Sequence, residues 1–136
     1  MIIGLGTDII NINRIEKAID RFGNKFLLKI YTKGEIQAAN QLTNREKIFS
    51  YYAKRFAAKE AFVKALGTGF RDNIRFTDIE IVKDKLNKPS FNIINKAQVI
   101  LEKLSLNNPV QINLSLSDDH PVAIAVVIIS SLHQNN

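Results

Sequence analysis

Three short segments of this sequence carry side chains whose types and spacing suit phosphate chemistry. Glu60 and Lys64 stand four residues apart, which on a helix sets a carboxylate beside an ammonium, with the small Ala53 and Ala57 leaving room for a ligand. The plain alternative is an ordinary ion pair on a solvated helix face. Gly67-Thr68-Gly69 follows, two glycines through which backbone amides can approach a phosphate, flanked by Lys64 and Arg71. Gly67 is equally explained as a helix cap, and the C-terminal end of a helix has the wrong dipole for an anion, so a phosphate there depends on the cations. Near the start, Gly4-Leu5-Gly6-Thr7-Asp8 places a carboxylate at the end of an apolar strand, where an unpaired charge is costly. Magnesium suits it as a partner, because that ion takes one or two carboxylates and completes its shell with water and substrate phosphates. Capping of the following helix is the other reading of Asp8.

The elements that must position these residues form an α+β pattern. Ile2 to Ile9 reads as a strand, after which Ile12, Ile15, Ile19 and Phe22 recur at helical spacing until Gly23. Thr32 to Glu35 has the capping-box form of a helix start. Asn44 caps a longer helix from Arg45 to about Leu66, in which Phe49, Tyr52, Phe56 and Val63 share one apolar stripe at ~100° per residue and Gly67 holds the C-terminal cap position. Arg55 and Lys59 fall on the opposite edge of that stripe from Lys64, and Lys59 reads as a solvated surface cation. Asp78 to Asp84 and Ser90 to Ile94 pair as a hairpin around Asn87-Lys88-Pro89, and Asn95 opens a short helix. Val110 to Ser117 and Val122 to Ser130 form a second hairpin across Asp118-Asp119-His120-Pro121, and His133 to Asn136 are expected to fray. The expected architecture is a small antiparallel sheet packed with a long central helix. Every residue from Val122 to Ile129 is apolar, so both faces of that strand need cover, from another subunit or from a helix of the same chain.

Composition narrows the function classes. With 136 residues, 46% hydrophobic and 24% charged, the chain reads as one globular domain over residues 1–136 rather than a disordered segment. The absence of cysteine excludes a disulfide framework, a thiolate zinc site and a catalytic thiol. No basic leader precedes the apolar start, and the Val122 to Ile129 run falls well short of the ~20 residues of a membrane helix, so a cytoplasmic setting without membrane contact is expected. The net charge of +6 lies wholly in the first half, where residues 1–68 carry 12 Lys/Arg against 6 Asp/Glu. That imbalance calls for an acidic partner: nucleic acid, an acidic protein or a phosphorylated small molecule. Against nucleic acid, no helix-turn-helix, zinc or aromatic RNA-binding signature is present, tryptophan is absent and there are only three tyrosines.

Taken together, the segments resemble the holo-[acyl-carrier-protein] synthases, the small single-domain class of 4'-phosphopantetheinyl transferases. The resemblance covers most of the chain. It rests on Gly4-Leu5-Gly6-Thr7-Asp8-Ile9 with Arg14 six residues later, on the block from Lys54 to Gly69 that contains Lys59-Glu60-Ala61 and Lys64, and on Ser115-Leu116-Ser117-Asp118 before an apolar strand. The middle block is the specific part. The resemblance implies transfer of the phosphopantetheine arm of coenzyme A to a serine of apo acyl carrier protein, with release of adenosine 3',5'-bisphosphate, in the service of fatty acid biosynthesis. It implies magnesium held by Asp8 and Glu60 on the pyrophosphate, and catalysis by these two with Lys64. It further implies contacts to coenzyme A from Arg55, Lys64, Gly67, Thr68 and Gly69, and a homo-oligomer, expected as a trimer, with the site between subunits. Either Glu60 or a water on the metal would take the serine proton. One departure is that family members often carry a histidine directly after Ser-x-Ser, where this chain has Asp118 and then His120. That leaves a binding role for His120 open.

The helix after Asp8 adds a candidate partner surface. Arg14, Lys17 and Arg21 form a stripe ~60° wide, with Glu16 and Asp20 outside it. The bland reading is a solvated face. The resemblance places carrier-protein docking on this helix, with Arg14 and Arg21 at matching positions, and a one-sign stripe suits an acidic carrier.

Overall fold

The computed structural model describes residues 1–132; the expected fraying of His133 to Asn136 lies outside the described residues. Strand β1 (Ile2–Asn11) leads into helix α1 (Ile12–Phe22), α2 (Asn24–Ile30), α3 (Lys33–Asn40) and the long α4 (Arg45–Leu66). A single 3-10 turn (Phe76–Asp78), the hairpin β2 (Ile79–Lys83) and β3 (Pro89–Ile93), helix α5 (Asn95–Leu104), and the hairpin β4 (Val110–Asp119) and β5 (Val122–Ser131) complete the order. The main sheet runs β1-β5-β4, antiparallel throughout, and β2 with β3 makes a separate pair.

Local chemistry sets most helix ends. Asn11, not Asp8, caps α1 by accepting from the Asn13 amide at 2.9 Å, so β1 continues past Asp8 and the capping reading of that carboxylate falls. Thr32 and Glu35 exchange the two bonds of a capping box at α3, and Asn44 accepts from the Lys47 amide at 3.1 Å to open α4. Gly67 ends α4 in the left-handed region at φ +82°, a conformation with little cost only for glycine. Helix α2 was not apparent from the sequence: it is seven residues long, lacks a capping side chain, and its Phe26-Leu27-Leu28 run shows no helical period. Phe22 also departs from expectation, being 53% exposed with the Arg21 guanidinium 5.2 Å from its ring centre instead of packing with buried Ile12 and Ile15.

Helix α4 is not the one-sided amphipathic helix its stripe suggests. Ala57, Ala58, Ala61, Phe62 and Val63 are all buried, so apolar contact runs round the helix. The sheet covers one side, and α1, α3, α5 and β2 pack on others. Lys59 is consequently not a surface cation. It is fully buried, with Nζ donating to Glu35 Oε1 at 2.6 Å, the Ile30 carbonyl at 2.7 Å and the Phe76 carbonyl at 3.2 Å. Glu35, also buried, accepts from the Ile81 amide at 3.0 Å through its other oxygen, so this one ion pair joins α2, α3, α4 and β2. Burial pulls the Lys59 ammonium below its ordinary value, and the carboxylate of Glu35 opposes that pull.

In β5 the alternation answers the question of its two apolar faces. Ala123, Ala125, Val127 and Ile129 are buried on the side of α4, so a helix of the same chain covers one face. Ile124, Val126 and Ile128 point the other way, in register with Ile9, Thr7 and Leu5 of β1, and Leu5, Ile9 and Ile124 are exposed. The second face is open in the isolated chain.

The buried ion pair generates a stability prediction. Lys59→Met leaves Glu35 charged and unanswered in the interior, and should cost about 3–5 kcal/mol in urea unfolding. A loss under ~1 kcal/mol would show that the pair does not organise the core.

Candidate functional site

The site begins with two glycines. A Cβ on Gly4 would stand 2.3 Å from the Ala65 carbonyl oxygen, and one on Gly6 only 1.9 Å from that of Ala61. Strand β1 therefore lies backbone to backbone on α4, an approach that any larger residue at these positions would prevent. Two residues further along the same face comes Asp8, and Lys64 Nζ meets its Oδ1 at 3.0 Å while also donating to the Thr7 carbonyl at 3.0 Å. Glu60, one helical turn before Lys64, is half-buried in the same neighbourhood. Its carboxyl is pushed up, first by burial and then by the Asp8 charge, with Lys64 and Arg14 acting in the opposite sense. The fold thus brings Asp8, Glu60 and Lys64 together, with Arg14 near enough to act on Glu60.

Two carboxylates set against each other at the edge of solvent suit a divalent cation that completes its shell from water and phosphate. Among the described residues no group of three or more His, Cys, Asp or Glu is placed to hold a metal, so Asp8 and Glu60 would supply a minimal pair rather than a cage.

The Gly67-Thr68-Gly69 turn leaves α4 just beyond Lys64. The Gly67 amide donates to the Val63 and Lys64 carbonyls at 3.1 and 3.0 Å, and the Gly69 amide to Val63 at 3.2 Å. Both amides therefore close the helix and are not aimed at a ligand in this conformation. The open space around both glycines, and Thr68 between them, are what the turn offers to a substrate.

Arg55 lies elsewhere. It lines a cavity of about 590 Å³ beside the first half of α4, together with Lys47, Ser50, Lys54, Asp118 and His120, whereas Asp8, Glu60 and Lys64 do not line it. Its guanidinium stacks 3.8 Å from the Tyr51 ring centre, it is 5% exposed, and its Nε has no hydrogen-bond partner. Asp118 stands in β4 opposite Ala123 rather than in a turn, and both of its oxygens are engaged by Ser50 and Lys54. From the sequence the segment Lys47 to Arg55 reads only as a second basic surface to which a carrier could dock, and the spacing of three and four residues that sets Lys47, Ser50 and Lys54 on one side of the helix was the signal for a shared site.

Arg14, Lys17 and Arg21 are exposed on α1 and make no ion pair among the described residues. The two acids of the helix turn aside. Arg45 at the start of α4 holds Glu16 at 3.1 Å and Asp20 at 3.2 Å, leaving the cationic stripe of one sign.

Comparison with known proteins places the chain in a family. Residues 4–125 match the model of the 4'-phosphopantetheinyl transferase superfamily. A holo-[acyl-carrier-protein] synthase of Zymomonas mobilis is 47% identical over 133 residues, spanning 96% of this chain and 98% of its own. The crystal structure of the Neisseria meningitidis synthase superposes with a TM-score of 0.82 at 37% identity, covering 96% of this chain and all of that one. A Bacillus anthracis synthase, solved in complex with CoA (3',5'-ADP), superposes with a TM-score of 0.78 at 36% identity, covering 97% and 99% of the two chains. The chain belongs to the 4'-phosphopantetheinyl transferase superfamily, within its holo-[acyl-carrier-protein] synthase family.

Proposed function

We propose that this protein transfers the 4'-phosphopantetheine group of coenzyme A to a serine of apo acyl carrier protein and releases adenosine 3',5'-bisphosphate. The observation that carries the reading is the Lys64–Asp8 ion pair beside half-buried Glu60, a cation and two carboxylates at a single open edge of the fold. Asp8 and Glu60 are the residues that would hold a magnesium ion, and the chemistry gained from it is neutralisation of the bridging pyrophosphate. The serine oxygen forms the new bond to phosphorus as the bond to the departing adenosine bisphosphate breaks in line with it, and the serine proton passes to Glu60 or to water. Lys64 offsets the charge that develops on this leaving phosphate. Thr68, with the uncrowded Gly67 and Gly69, would contact coenzyme A next to Lys64, and Arg55 would do so from the basic cavity, which we assign to the phosphorylated nucleotide end.

On one chain the acid pair and the basic cavity share no lining residue. Copies of the chain placed against each other through the open sheet face of Leu5, Ile9, Ile124, Val126 and Ile128 would cover that apolar surface and let one copy's cavity complete another's acid pair. A trimer is the assembly we assign. Sedimentation as a stable 15.4 kDa monomer at micromolar concentration would contradict it.

The function is tested by incubating the protein with apo carrier, coenzyme A and magnesium and weighing the carrier. It should gain the mass of one phosphopantetheine; a competent carrier left unmodified would refute the reading. Glu60→Gln and Asp8→Asn should each slow this transfer by at least ~100-fold with the fold intact, since each removes an anionic oxygen with little change of volume. Near wild-type turnover of either variant at saturating magnesium would exclude the two-carboxylate site.

Carrier docking is assigned to the cationic stripe of α1. Arg21→Glu should raise KM for the carrier several-fold and flatten its salt dependence, while KM for coenzyme A changes little. Arg14→Glu should do the same to the carrier but act on the site as well, because Arg14 bears on Glu60. Loss of coenzyme A binding with unchanged carrier binding in Arg21→Glu would overturn the assignment.

A further inference from the structure

The basic cavity beside α4 also carries groups of the opposite sign. Lys47, Lys54, Arg55 and Lys83 line it, a set that favours an anion, yet Glu46 lines it at the start of α4 and Asp118 lines it from β4. The Asp118 carboxylate is held in place. Ser50 Oγ donates to Oδ2 at 2.8 Å, Lys54 Nζ lies 3.1 Å from Oδ1, and the β4 backbone carrying it is fixed in register with β5. The hydroxyl of Ser50 and, after it, the ammonium of Lys54 keep Asp118 below the usual carboxylate range, so it remains ionised at neutral pH. Neighbouring Arg55 presents the contrast: nine-tenths buried, with Nε unpartnered. Of the four cations that line the cavity, Lys54 is therefore answered by the protein's own acid, while Lys47, Arg55 and Lys83 make no ion pair among the described residues.

We propose that Asp118 is an internal counter-ion that sets how tightly the cavity holds a phosphate, occupying Lys54 when the cavity is empty and reclaiming it when the phosphate departs. The inference rests on the reading that this cavity receives the phosphorylated nucleotide end of coenzyme A. A phosphate that engages Lys54 must break an existing charge-assisted contact, and the same contact re-forms as the phosphate leaves. The leaving product carries that phosphate with it, so Asp118 acts chiefly on product release, a step that limits turnover in many enzymes. It is a specificity-determining residue, because a nucleotide without the additional phosphate leaves the Lys54–Asp118 pair undisturbed.

The test is calorimetric titration of the intact protein with adenosine 3',5'-bisphosphate and with adenosine 5'-monophosphate. Asp118→Asn should tighten the bisphosphate by at least ~5-fold and the monophosphate by less than ~2-fold, with a fall in kcat as release slows. Ser50→Ala, which frees the carboxylate without changing net charge, should move the bisphosphate in the same direction by a smaller factor. Lys54→Gln should weaken it. If Lys54→Gln weakens the bisphosphate but Asp118→Asn leaves the ratio of the two affinities unchanged or lowers it, the counter-ion role is overturned and the cavity assignment stands. If Lys54→Gln has no effect, or the wild-type protein does not bind the bisphosphate, both fall together.

Discussion

The contact on which the rest depends is the backbone approach of β1 to α4 at Gly4 and Gly6. A strand and a helix ordinarily keep their backbones apart by the thickness of their side chains, and here glycine on the strand meets Ala61 and Ala65 on the helix, removing that layer. Because side chains on a strand alternate, the face that carries Gly4 and Gly6 also carries Asp8, and the approach that brings the glycines onto the helix brings this carboxylate to Lys64 and Glu60. The result is two acids near one another in partly desolvated surroundings, which is unfavourable in isolation and useful to a cation or to a phosphate accompanied by one.

An approach this close functions only if the helix is held from behind. The Lys59–Glu35 pair supplies that hold, reaching from the far side of α4 to α2, α3 and β2 through one ammonium and one carboxylate. Lys59 and Glu60 are adjacent in sequence and project to different sides of the helix, the first into the interior and the second toward Asp8. Charge is sorted similarly on the surface, where Arg45 draws Glu16 and Asp20 away from the cations of α1 and Asp118 answers Lys54 inside the basic cavity.

What could be read from the sequence follows the range of the interactions involved. The caps at Thr32, Asn44 and Gly67 and both hairpins depend on residues a few positions apart, so they were legible locally, as was the Glu60 and Lys64 pair, whereas the meeting of that pair with Asp8, over fifty residues away, followed only from the family resemblance. Lys59 was misread because a helical wheel with one apolar stripe assumes one buried side, whereas α4 is enclosed on several. Phe22 fits its stripe yet stands exposed, since α1 ends and the chain turns at Gly23 before that position reaches the core. The pairing of Asp118 with Ser50 and Lys54 spans more than sixty residues, a separation at which no spacing rule operates.

The most direct measurement of the account is the transfer rate of Gly6→Ala, with its secondary structure followed by far-ultraviolet circular dichroism. The added methyl would lie 1.9 Å from a backbone oxygen, so strand and helix must part and Asp8 must shift from Lys64 and Glu60. The account predicts a folded protein that modifies its carrier at least ~10-fold more slowly, in line with what small misplacements of reacting groups cost. A folded Gly6→Ala protein with wild-type turnover would contradict it.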